Sequence, residues 1–138
     1  MVFEWFQQVF RTPGQKVAAF CRGRSRQPDN QFIANCGLPP EPEAARVAIA
    51  VRRAVGRVGS VDPEFIYADD AYPDQLGVLP LWDSMSWVEF FLALEVELGL
   101  RISEREAEQF IDPQRVSVRE MVIGVYRTVT GRRTVSGE

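Results

Sequence analysis

The chain has 138 residues and a net charge of −3, with 46% apolar and 25% charged residues. That is the composition of a globular domain with enough apolar material for a core, and no apolar run approaches the roughly 20 residues that cross a membrane. The absence of histidine removes the commonest general base and the usual Ser-His-Asp and Cys-His pairs, so catalysis is not expected.

Charge is uneven along the chain. Residues 1–40 carry a net of +3 and residues 41–138 a net of −6. An acidic main domain argues against nucleic acid and suits partners with basic docking surfaces. The first ten residues hold Glu4 and no basic residue, the opposite of a secretory signal, so a cytoplasmic location is expected. The two cysteines, Cys21 and Cys36, are too few for a zinc site and read as reduced thiols. A disulfide between them is open, but nothing in the sequence calls for it.

In chain order, Val2, Trp5, Phe6 and Val9 recur at i, i+3, i+4 and i+7, which predicts a short amphipathic helix. Pro13-Gly14 is expected to end it. Its apolar face could pack on the rest of the protein, grip a partner or lie on a membrane. Packing is favoured, and the lack of Lys or Arg counts against the membrane. After a short apolar stretch, Val17–Cys21, residues 22–42 are polar and punctuated by Gly and Pro, and read as a linker. Residues 1–40 thus form an N-terminal extension.

A helix is predicted over 43–58 from Val47, Val51, Val55 and Val58, with Ala44, Ala48 and Ala54 beside them. Glu41 and Glu43 at its start and Arg52, Arg53 and Arg57 near its end complement the dipole, and Gly59 is the expected terminator. Residues 59–82 make a long connection whose prolines and glycines exclude one helix. The next helix is predicted over about 84–98, with Asp83 as N-cap and Gly99 as terminator. Its face is read as Met85, Val88, Leu92 and Val96, widened by Phe91, Leu94 and Leu98. A short helix follows Ser103, whose capping box closes on Glu106, and stops before Asp112-Pro113. The last helix opens with a second box, Ser117 and Glu120, and runs along Val118, Met121, Val122, Val125, Tyr126 and Val129. Residues from Thr130 onward are expected to fray, with 131–138 as a flexible tail. No segment alternates as a strand. The physical reading is a small all-α bundle.

The run from Asp83-Ser84-Met85 through Glu89, Ala93-Leu94-Glu95, Glu97 and Gly99 to Ile102 resembles the signature of acyl carrier proteins. In that family Asp-Ser-Leu opens the second helix, and a hydrophobic and acidic pattern follows in this register. Ser103 to Gln109 is similar to the family's short third helix, residues 116–122 to the entry of its fourth, and Asp74-Gln75-Leu76-Gly77 to the turn that ends its long loop. The resemblance covers about residues 41–130. It implies an acyl-carrier-protein-like four-helix bundle, three longer helices and one short, with a long loop between the first two.

It further implies a free-standing carrier, not an enzyme, with a 4'-phosphopantetheine arm on Ser84, flanked by Asp83 and Met85. A phosphopantetheinyl transferase would attach the arm, whose thiol would then carry acyl or aminoacyl groups as thioesters. Acyl-loading and acyl-processing enzymes, as in fatty acid biosynthesis and other lipid metabolism, would dock on Glu89, Glu95 and Trp87. A monomer is expected, with no metal.

The chain departs from the family at Met85 in place of Leu, at Val96 where an acid is common, in the extra residues 78–82 before Asp83, and in residues 1–40. Two other readings stay open. Asp83-Ser84 is also an ordinary helix cap. The domain could be a carrier-like interaction module that is never modified.

Overall fold

The computed structural model describes residues 12–82, 87–110, 112 and 114–136. Among them are six α-helices and one pair of two-residue strands, so the protein is mostly helical. The helix expected over residues 2–10 lies outside the described residues.

Helix α1, Pro13–Cys21, begins where Pro13-Gly14 was expected to act only as a stop. Thr12 Oγ1 accepts the Gln15 N–H at 3.1 Å and Gln15 Oε1 accepts the Thr12 N–H at 2.9 Å. Pro13, at the first helical position, loses no intrahelical hydrogen bond there. The expected linker also contains a helix, α2, Asp29–Cys36, which ends at Gly37 in the left-handed conformation. Phe20, Phe32 and Cys36 of this stretch join the same core as the rest of the chain.

Two arginines hold it there. The guanidinium of Arg24 makes a two-point ion pair with Asp70 (2.8 and 2.7 Å), donates to the Phe65 carbonyl, and lies against the rings of Phe20 and Tyr67. Arg52, fully buried, donates to the carbonyls of Ile66 (3.1 Å), Gln27 (2.9 Å) and Glu64 (3.0 Å) and to Asp29 Oδ1 (2.9 Å), over the ring of Phe32. Arg52 therefore does not serve the helix dipole at the surface, as its position in the sequence suggested. It satisfies the Ile66 and Gln27 carbonyls and adds a second donor at the Glu64 carbonyl, which also accepts the Gln27 N–H at 2.9 Å.

Helix α3, Pro42–Gly59, is the central element and packs on α4, α6 and α2. The expected face is the observed one, since Ala44, Val47, Ala48, Val51, Ala54, Val55 and Val58 are all buried. The left-handed cap is Ser60 (φ 58°), not Gly59. Gly59 is small for another reason: a Cβ there would meet Leu79 Cδ1 at 2.7 Å.

The long connection is packed down at intervals. Val61, Ile66, Ala68, Leu76, Leu79 and Trp82 are core residues. Strand β1, Ala71–Tyr72, pairs antiparallel with β2, Val116–Ser117, a strand pair that no alternation announced. The Val118 and Arg119 N–H groups donate to Asp70 and Ala68, so the loop also covers the first turn of the last helix.

Helix α4 is Trp87–Leu98, and Gly99 (φ 69°) ends it. Helix α5, Glu104–Phe110, follows the expected capping box, in which Glu106 Oε1 accepts the Ser103 N–H at 3.0 Å and Ser103 Oγ accepts the Glu106 N–H at 3.2 Å. Helix α6, Val118–Ser136, follows the Ser117–Glu120 box at 3.0 and 3.1 Å. It passes Thr130, so residues 131–136 are helical, contrary to the expected tail. Arg132 explains the extension: it pairs with Glu106 and donates to the Arg101 carbonyl, tying the last helix to α5. No helix among the described residues is long and apolar enough to cross a membrane.

Candidate functional site

The candidate site lies where the long connection meets α4. Asp83, Ser84 and Met85 fall outside the described residues. The residues before and after them are held by aromatic packing. Trp82 is 1% exposed, and its indole N–H donates to the Val55 carbonyl at 3.2 Å. The ring of Trp87 meets Trp82 edge-on, with centroids 5.5 Å apart, and also packs on Tyr72, Phe90 and Phe91.

The extra residues 78–82 are thus anchored from beneath. Leu79 fills the space over Gly59 and Trp82 sits on the backbone of α3. Of the two tryptophans beside Ser84, Trp82 serves the core, and Trp87 is half-buried in the aromatic cluster. The turn before them is held in its own way: Leu76 is buried, Gln75 Oε1 accepts the Ala71 N–H at 3.0 Å, and Asp74 pairs with Arg115 at the surface.

The three glutamates of α4 have different environments. Glu89 is exposed. Glu95 is half-buried and its Oε2 accepts the Ile102 N–H at 2.7 Å, closing the turn after α4. Glu97 is half-buried and pairs with Arg57 at 2.9 Å. Glu89 is thus the exposed one of the three.

The apolar face of α4 is not the one expected. Val88, Leu92 and Val96 are 68, 53 and 66% exposed, whereas Phe90, Ala93, Leu94 and Leu98 are buried. Two apolar rows spaced i, i+4, i+8 run along this helix, two residues apart and so on nearly opposite sides. The row with Phe90, Leu94 and Leu98 carries more apolar surface than the row with two valines, and the core takes the larger. The exposed row runs into an open groove of about 350 Å³ lined by Leu92, Glu95, Val96, Gly99, Leu100 and Arg101. Leu81 (46% exposed) and Val78 (37%) add apolar surface on the connection before α4. The sequence carried one signal of this stripe, a helix that is apolar on more sides than one core can bury.

The thiols are unactivated. Burial pushes Cys36 up to about 11, and Cys21 is also raised, chiefly by burial, against the pull of Arg24 and Arg26. A thiol held neutral at ordinary pH is a poor nucleophile. Both cysteines are free. No cluster of metal-ligating residues occurs among the described residues.

No family model matches the chain, and neither a curated protein nor a solved structure matches it.

Proposed function

We propose that the protein is a carrier whose Ser84 bears a 4'-phosphopantetheine arm, built on an acyl-carrier-like four-helix bundle formed by α3, α4, α5 and α6. The observation that carries this reading is the residue pattern from Asp83 to Ile102, which keeps the carrier register without a gap. The helix order supports it: a long helix, a long packed connection, a helix opening just after the serine, a short helix and a final long one.

In the loading step the Ser84 hydroxyl attacks the coenzyme A phosphorus nearest the pantetheine. A Ser–O–P phosphodiester forms, the pyrophosphate bridge breaks, adenosine 3',5'-bisphosphate leaves, and the hydroxyl proton passes to the transferase. The arm's thiol then holds the cargo as a thioester. Partner enzymes would meet α4 through the exposed Glu89 and the apolar row Val88, Leu92 and Val96. This docking face would be more apolar and less acidic than the family's usual one.

The second reading, an interaction module that is never modified, draws support from the same face. Glu95 and Glu97 are engaged within the chain, which leaves an apolar surface rather than an acidic one. Intact mass decides between the readings. Wild-type and Ser84→Ala proteins are incubated with coenzyme A and a broad-specificity phosphopantetheinyl transferase, and material from the native cells is weighed beside them. A gain of one phosphopantetheine, absent in Ser84→Ala, is expected. A bare Ser84 in native material refutes the carrier reading.

A further inference from the structure

Val88, Leu92 and Val96 stand exposed in one row on α4, while Phe90, Leu94 and Leu98 of the same helix are buried. The charges at the two ends of this row select its occupant. Glu89 is exposed, and it precedes Val96 by seven residues, so it falls on nearly the same line of the helix, near its start. Arg101 is exposed at the other end, where it lines the open groove with Leu92 and Val96.

The chain at that end is fixed in place. Gly99 is left-handed and its N–H donates to the Glu95 carbonyl at 2.8 Å. Glu95 Oε2 accepts the Ile102 N–H at 2.7 Å, and the Arg101 carbonyl accepts from Arg132 at 2.6 Å. The strip therefore runs acid, apolar, base along one side of a held element.

We infer that this strip is a self-association surface, on which a second copy of the chain lies antiparallel across the same strip. In a two-fold pair, a residue that meets a second residue of the other copy is matched by the reciprocal contact. Antiparallel packing brings Glu89 to the partner's Arg101 and Arg101 to the partner's Glu89, with the apolar rows between them. The sequence midpoint of the two charges lies between Leu92 and Val96, so bringing them opposite keeps both side chains inside the contact. A parallel pairing would set like charges together at both ends.

Other occupants fit less well. A partner with a basic patch would meet one carboxylate balanced by one guanidinium, because Glu97 is paired with Arg57 and Glu95 is bonded to Ile102. An anionic membrane would meet the same balance, with no cluster of cations to draw it. The strip is short, so the pair belongs to the weak class that buries less than ~1,200 Å². It stands in place of the monomer expected from the sequence. The inference does not depend on Ser84 being modified. If the carrier reading also holds, self-association and partner docking compete for this face.

The test is sedimentation equilibrium of the full chain from about 10 µM to about 1 mM, the range in which a weak pair forms. The weight-average mass should rise toward twice that of the monomer. Leu92→Asp, Glu89→Arg and Arg101→Glu, all at exposed positions, should each weaken association at least fivefold, with circular dichroism showing that each variant is folded. Each charge-reversed chain repels its own copy. An equimolar mixture of Glu89→Arg and Arg101→Glu chains sets opposite charges at both contacts, so it should associate as wild type does. The double variant Glu89→Arg/Arg101→Glu should do the same by itself.

A protein that stays monomeric at the top of this range overturns the inference. A dimer that none of the three substitutions weakens uses another face, and overturns it too. A mixture no more associated than its two components refutes the antiparallel pairing and the inference with it.

Discussion

Leu92 and Leu94 offer the same chemical change at two places two residues apart on α4. Leu94 is fully buried in the core and Leu92 is 53% exposed. Leu→Ala removes the same atoms and changes helix propensity by the same small amount at both positions, so the difference between the two variants isolates burial. At Leu94 the lost transfer energy and the cavity left behind should together cost about 2–5 kcal/mol. At Leu92, with half the side chain already in water, the cost should be about 0.5–1 kcal/mol. Urea unfolding followed by tryptophan fluorescence reads both, since Trp82 is buried and Trp87 sits in the adjoining aromatic cluster. With a slope of roughly 2 kcal/mol per M, Leu94→Ala should lower the midpoint by about 1–2.5 M. Leu92→Ala should lower it by about 0.25–0.5 M on the same scale. Equal shifts, or a larger one for Leu92→Ala, would mean that α4 presents its other side to the core and would refute the assignment of the rows.

Arg52→Met should destabilise by about 3–5 kcal/mol, because it strips the Ile66 and Gln27 carbonyls of their donor inside the protein and leaves Asp29 without its partner; Arg53→Met, on an exposed position, should cost under about 0.5 kcal/mol in the same urea titration. Gly59→Ala should be net destabilising by about 1–2 kcal/mol, the contact with Leu79 outweighing the gain in helix propensity, and Leu79→Ala in the same chain, which removes the Cδ1 and Cγ contacts and keeps the Cβ one at 3.2 Å, should relieve most of that penalty, as a double-mutant cycle measures. The Arg132 guanidinium holds Glu106 well below the usual carboxylate range, at about 2, with help from the Ser103 N–H. Since that carboxyl is lowered on folding, its contribution is complete above the unfolded value near 4.5 and fades as pH falls through about 2. Glu106→Gln keeps an acceptor for Ser103 but loses the charge, so it should be less stable than wild type by about 0.5–1 kcal/mol at pH 7, and the gap should close as the melts are taken down to pH 2.

What the sequence determined by itself is what neighbouring residues settle among themselves. The two capping boxes at Ser103–Glu106 and Ser117–Glu120, the Gly99 stop and the span of α3 depend on groups three or four positions apart, and each forms as its local pattern implies. The buried side of α3 was legible because its opposite side is polar, so one orientation satisfies the core.

Tertiary structure decided the rest. Two apolar rows of α4 compete for one core, and only the shape of the space between α3 and α4 chooses Phe90, Leu94 and Leu98. Arg52 reads as a surface charge until residues 27–29 and 64–66 bring it three carbonyls and a carboxylate from distant parts of the chain. Residues 29–36 form a helix inside a stretch that looks like a linker, because Phe32 and Cys36 find the core. Residues 131–136 stay helical because Arg132 reaches Glu106 on α5. In each case the deciding partner is far away in sequence, and the free energy that selects the outcome is burial or ion pairing between elements rather than the preference of any one segment.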